Sequence, residues 1–331
     1  MRLIRVGRDD LTLVRRRRGA GFCYIDADGA LVCDPNVKTR IKALGIPPAW
    51  TNVRIAPSER AHIQVLGHDE AGREQYLYHP EWTLRRDNKK QLRLTALTTA
   101  LPRLRRKVNE ALDAPAGSRE LALALAVALI DKTAMRLGRE KYLEASGTRG
   151  AGTLYARDVT VSGEDISLRF DAKGGKRAEY SLRDARLAAA ISKIKTLPGK
   201  RLLVYRDEAG KVRPIKTSGV NDFLRTASGV AISAKDFRTL HASAIAGAAL
   251  AQLEVGATEA ARRRQMAQVA REVAEVLRNT PMISRKSYIA PCLFKLFNAG
   301  KLKALWEAAG SGRQGLLARE RRLSVVLASV S

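Results

Sequence analysis

Tyr288 stands in the stretch from Ser284 to Pro291, nine residues after Asn279, in a chain that also places Arg136 and Arg238 in distinctive settings. Breaking a phosphodiester without a metal asks for a nucleophile, for cations or donors on the non-bridging oxygens, and for an acid on the leaving oxygen. The sequence offers a candidate for each: Tyr288 as nucleophile, Arg136, Arg238 and Asn279 as donors, and Lys173 as acid. A free tyrosine, with pKa about 10, is ionised roughly once in a thousand molecules at pH 7, so a nucleophilic tyrosine needs cations around it. Taken singly, each of these residues reads as ordinary packing or a solvated surface. It is the set that gives Tyr288 weight.

Arg136 follows the apolar run Leu121 to Ile130, in the segment from Asp131 to Gly138. Arg238 lies in the segment Ser233 to His241, where Ser233 is suited to cap a helix and Asp236 to complete a capping box. Arg238 and His241, three apart, would share one helix face, and a phosphate would be favoured at that helix N-terminus. Lys235 falls in the same first turn. Asn279, Thr280 and Pro281 read as the end of one helix and the start of another, with Thr280 as N-cap and Pro281 at the first position. An amide at Asn279 would then lie two or three turns from Tyr288.

The elements that must carry these residues fall into two sets. Residues 1–86 read mostly as strands and turns. Phe22–Ile25 and Ala30–Cys33 flank a turn at Asp26–Gly29, Ile63–Leu66 and Gln75–Tyr78 flank a turn at His68–Gly72, and Asp34-Pro35 opens a short helix. Residues 87–331 read as long helices, at about 92–111, 118–146, 183–195, 234–253 and 258–278, after a charged linker at Arg85–Lys90. A three-stranded β insertion over about 158–180 places Lys173 at a tight hairpin tip. The expected fold is α+β: a small β-rich N-terminal domain and a larger, mainly helical domain.

Composition narrows the partner. The formal net charge is +27, which draws polyanions, nucleic acid before anionic membrane. Aromatic residues are 5% of the chain, which favours backbone contacts on double-stranded DNA over the stacking platforms of single-strand binders. Cys23, Cys33 and Cys292 are odd in number, and with His62, His68, His79 and His241 they show no metal-ligand spacing. No metal or other cofactor is expected. The longest apolar run is too short to cross a bilayer, and the basic N-terminus lacks the apolar stretch of a secretory signal, so a cytoplasmic protein is the expectation.

Together these residues resemble the type IB DNA topoisomerases, in particular the compact bacterial and poxvirus-type branch. Val37–Val53 and Gly67–Pro80 are similar to that family's N-terminal DNA-clamping domain. Arg136-Leu137-Gly138, Phe170 to Lys173, Lys235 to Thr239 and Ser287-Tyr288-Ile289 are similar, in order, to its first arginine motif, its hairpin lysine motif, its second arginine motif and its nucleophile motif. Asn279 takes the slot that is histidine in many members, and Ala172 stands where glycine is usual, which leaves Lys176 as an alternative acid. The resemblance implies a monomeric clamp around duplex DNA, associated with the nucleoid. It also implies that Tyr288 forms a transient 3′-phosphotyrosyl link, that Lys173 protonates the leaving oxygen, and that both signs of supercoil relax without ATP. Two alternatives stand beside it. Tyrosine recombinases share the catalytic fold but usually carry histidine where this chain has Lys235, and a non-catalytic duplex-binding protein would need only the charge.

Overall fold

A computed structural model describes residues 2–310 and 315–330. The backbone divides into two compact units, Met1–Lys89 and Lys90–Ser331.

In the first unit, strands β1 (Leu13–Arg18) and β2 (Gly21–Ile25) precede helix α1 (Pro35–Ala43), followed by β3 (Thr51–Ile55), β4 (Ile63–His68) and β5 (Glu74–Tyr78). They form one antiparallel sheet in the order β2-β1-β3-β4-β5. Asp34 caps α1 by accepting from the Asn36 amide at 2.8 Å, and Ile41 packs with Leu13, Val53, Ile55 and Val65. β2 pairs with the basic run at Arg15–Arg18 rather than with Ala30–Cys33, which contributes only a bridge between Leu31 and Ile25. Arg15 is turned inward, donating to the carbonyls of Pro47 and Trp50, so it is a structural arginine while Arg16, Arg17 and Arg18 are exposed.

Helix α2 runs Pro80–Leu112, so the expected linker at Arg85–Lys90 is helical. Arg and Lys are good helix formers, and charge without glycine or proline does not break a helix. α3 (Arg119–Thr133), capped by Ser118, and α4 (Glu140–Ser146) replace the single helix expected over 118–146. The break is at Ala134, left-handed at φ 54°. A three-stranded antiparallel sheet follows, β6 (Val159–Ser162), β7 (Asp165–Asp171) and β8 (Arg177–Arg183), in that order. Next come α5 (Ala185–Ile194), the small hairpin β9 (Val204–Arg206) and β10 (Val212–Pro214), and α6 (Thr217–Ser228).

The core of the second unit is organised on α7 (Ala234–Ala251), most of whose residues are buried. Its small side chains let neighbours approach: a β-carbon at Gly247 would lie 2.4 Å from the Trp306 ring. The remaining helices are α8 (Glu259–Leu277), the single turn α9 (Pro281–Ile283), α10 (Pro291–Asn298), α11 (Leu302–Ala308) and α12 (Leu316–Ala328). Between α9 and α10, Ser284–Tyr288 forms a π-turn. Among the described residues no helix is long and apolar enough to cross a membrane.

Candidate active site

Arg136 sits in the loop between α3 and α4, and that loop is held by backbone. The amides of Ala151 and Gly152 donate to the carbonyls of Arg136 and Leu137 at 2.9 and 2.7 Å. The approach requires glycine: a β-carbon on Gly150 would lie 2.3 Å from the Arg136 carbonyl oxygen, and Gly138 has φ 82° with Thr153 Oγ1 at 2.4 Å from such an atom. The side chain of Arg136 donates to Asn279 Oδ1. Asn279 Nδ2 is buried and has no hydrogen-bond partner among the described residues, which leaves a donor available to a ligand.

Arg238 is 3% exposed. Its Nη1 donates to the Ala134 carbonyl at 2.5 Å and its Nη2 to the Leu277 carbonyl at 2.8 Å, so one guanidinium ties the ends of α3 and α8 together. Its Nε is buried without a partner among the described residues. Upstream, the Asp236 carboxylate accepts from the Ser233 amide at 2.7 Å and from Arg93 at 2.5 Å, fixing the start of α7.

Tyr288 ends the π-turn, and Ser243 on α7 grips the backbone on either side of it. Ser243 Oγ donates to the Tyr288 carbonyl at 3.3 Å and accepts from the Ala290 amide at 3.0 Å. The ring lies 4.9 Å from the Arg238 guanidinium carbon and 5.8 Å from Lys235 Nζ. Burial pushes the Tyr288 hydroxyl up, but Arg238, through charge and hydrogen bonding, and the charges of Arg136 and Lys235 outweigh it, leaving the pKa below its ordinary value of 10.0. Arg136 is shifted down by burial and by the like charge of Arg238. Two crowded guanidinium groups beside an acidified phenol favour an anion between them.

Arg136, Lys173, Lys235, Arg238 and Tyr288 line one open cleft of about 480 Å³. Lys173 is exposed on the β7–β8 loop. The left-handed positions there are Gly174 at φ 82° and Gly175 at φ 69°, so Ala172 needs no glycine freedom. Lys176 lines a neighbouring cleft with Arg278 and Asn279. Tyr142 also lines the main cleft, but its close cation is Lys141, at 5.0 Å, rather than the arginines.

His241 does not join them. It is 5% exposed, with Nε2 2.6 Å from the Asp131 carbonyl, and burial lowers its pKa. The expectation that His241 shares a phosphate-facing side of the helix with Arg238 does not hold, because α7 is buried on nearly every side and the ring meets the Asp131 carbonyl instead. Asp131, His241 and Glu320 do converge within 4.8 Å of one another. A cation already serves them: Arg105 binds the Asp131 carboxylate at 2.7 and 2.8 Å and the Glu320 carboxylate at 2.8 and 3.0 Å. Bridged by Arg105, the cluster is a hydrogen-bonded strut between α2, α3, α7 and α12.

Sequence reasoning passed over Ser243, Arg278 and Arg105. A serine inside an otherwise apolar helical stretch and an aspartate at the end of an apolar run were the available signals for the first and last.

Residues 79–292 match the family described as eukaryotic DNA topoisomerase I, catalytic core. Residues 21–69 match the bacterial DNA topoisomerase IB N-terminal domain. The chain is 28% identical over 292 residues to DNA topoisomerase 1B of Acanthamoeba polyphaga mimivirus, covering 86% of this chain and 87% of that protein.

Proposed function

This chain belongs to the type IB DNA topoisomerases, an isomerase class acting on DNA, and we propose that it relaxes positive and negative supercoils in duplex DNA through a transient single-strand break. Tyr288 Oη attacks a backbone phosphorus and the bond to O5′ breaks, leaving a 3′-phosphotyrosyl link and a free 5′-hydroxyl end. Arg136, Arg238 and Asn279 hold the non-bridging oxygens as charge builds, each such donor commonly contributing about 10²- to 10³-fold. Lys173 gives its proton to O5′, a role typically contributing about 10²- to 10⁴-fold. The cut end swivels about the intact strand, and its hydroxyl then attacks the phosphotyrosine to reseal the DNA. The phosphotyrosyl bond conserves the energy of the broken one, so neither nucleotide nor metal is consumed.

The observation that carries this reading is the Tyr288 ring against Arg238, with the Tyr288 hydroxyl acidified and Arg136 joined to Asn279 beside it. Lys235 adds a third cation, at the α7 N-terminus. The first unit serves as a DNA-clamping domain, and the working form is a monomer around duplex DNA, in the nucleoid of a bacterial cytoplasm; the +27 charge and the N-terminal domain match support this. Purified protein should relax plasmids of either supercoil sign in EDTA. Relaxation of neither sign overturns the proposal and favours a duplex-binding role, whereas sequence-restricted strand exchange favours recombination.

A further inference from the structure

Three consecutive residues at the end of α8 each hold a different part of the cleft. Leu277 gives its carbonyl to Arg238, Asn279 gives its side-chain oxygen to Arg136, and Arg278 between them reaches the β7–β8 hairpin. Arg278 Nη1 donates to the Arg177 carbonyl at 3.0 Å and Nη2 to the Glu179 carbonyl at 2.6 Å. Its guanidinium carbon lies 5.1 Å from the centroid of the Tyr180 ring, which stacks on Phe170 at 6.2 Å. β8 is an edge strand, and among the described residues no further strand takes up the carbonyls of its outer side. Arg177 opens β8 directly after the loop that carries Lys173, and Phe170 precedes that loop on β7.

The backbone of Arg278 makes this contact more telling. It is left-handed, φ 51° and ψ 53°, at the C-cap of α8, a conformation that glycine or asparagine adopts with least strain. A strained non-glycine residue that holds another element through its side chain points to a purpose for that side chain. A planar guanidinium with two directed donors fixes the orientation of a strand as well as its distance.

We propose that Arg278 is a positioning residue for Lys173, clamping the hairpin to α8 so that the ammonium stays over the leaving oxygen. This rests on the reading of Lys173 as the acid. In the step concerned, the Tyr288 oxygen bonds to phosphorus, the bond to O5′ breaks, and the Lys173 Nζ proton passes to O5′. Losing the clamp impairs the proton transfer and leaves the attack and the oxygen contacts in place, because Leu277 and Asn279 hold the arginines without it.

Arg278→Asn tests this, since asparagine tolerates the left-handed backbone while removing the guanidinium. Single-turnover cleavage is measured on a duplex carrying a cleavage site mapped on plasmid DNA, and on the same duplex with sulfur replacing the bridging 5′ oxygen. An alkylthiol, with pKa about 8.5, leaves as the thiolate and needs no acid. The expected slowing is about 10- to 100-fold on the oxygen duplex, part of what a general acid supplies, and less than about threefold on the sulfur duplex. Lys173→Ala should lose more on oxygen and recover equally on sulfur, and adding Arg278→Asn to it should slow it no further. Arg278→Lys, able to serve one carbonyl, should fall between, and it reads the same oxygen-to-sulfur ratio if Arg278→Asn does not fold. Equal slowing on both duplexes, or none on either, overturns the proposal. If Lys173→Ala itself is not recovered by sulfur, the acid assignment fails and the clamp's role fails with it; recovery of Lys173→Ala without recovery of Arg278→Asn refutes the clamp alone.

Discussion

The Arg238 guanidinium donates to the Leu277 carbonyl, 39 residues ahead in the chain, at 2.8 Å, while its carbon lies 4.9 Å from the centre of the Tyr288 ring. The same side chain thus closes the frame of the cleft and faces its phenol. Arg238→Ala removes the donor from two carbonyls at buried helix ends and should cost about 2–4 kcal/mol by chemical denaturation. Cleavage should fall by at least about 100-fold. Arg238→Lys should recover part of the stability and less of the rate, because an ammonium cannot reproduce a planar fork.

Tyr288→Phe should bind duplex DNA with unchanged affinity and form no covalent adduct, read by gel after denaturing the complex. Tyr142→Phe, altered in the same cleft, should keep the adduct. An adduct that survives Tyr288→Phe and disappears with Tyr142→Phe would reassign the nucleophile.

The acidified phenol sets a pH dependence. A tyrosine whose pKa lies below 10.0 ionises at lower pH than a free one, so single-turnover cleavage should rise with pH through an inflection below pH 10. Arg136 and Lys235 each lower that pKa by their charge. Replacing either with a neutral residue should move the inflection to higher pH, and an unmoved inflection would mean that it reports another group.

His241 is expected to matter for stability and not for DNA. His241→Gln should leave the DNA affinity and its salt dependence as they were, while lowering the unfolding midpoint. The buried ring has a pKa below its ordinary 6.5, so the unfolded chain binds more protons between the two values. Stability should therefore decline as pH falls below about 6.5, and His241→Gln should flatten that decline. A weakened salt response of DNA binding would return His241 to the phosphate contacts.

Glu320→Ala takes one carboxylate from Arg105 and leaves Asp131 as its remaining anion. Removing one partner of a buried pair typically costs about 3–5 kcal/mol, with Asp131 holding the loss toward the lower end. Unfolding of the variant by denaturant measures it.

Sequence alone settled what is local. Asp34 and Thr280 cap α1 and α9 as their types suggest, Asp236 closes its half of the expected box by accepting from the Ser233 amide, and the glycines after Lys173 turn the β7–β8 hairpin, because caps and turns are made by atoms within a few residues of one another. The order of Arg136, Lys173, Arg238, Asn279 and Tyr288 carried the family resemblance before any coordinate. The tertiary structure decided which faces meet. It buried His241 against Asp131, 110 residues away, and broke the expected helix at Ala134, where Gly138 and Gly150 admit the Arg136 loop. It also drew Ser243 to Tyr288 and Arg278 to Glu179. A helical pattern states that a face exists, but its neighbours are fixed by the packing of the whole core, and that depends on contacts between residues far apart in the chain.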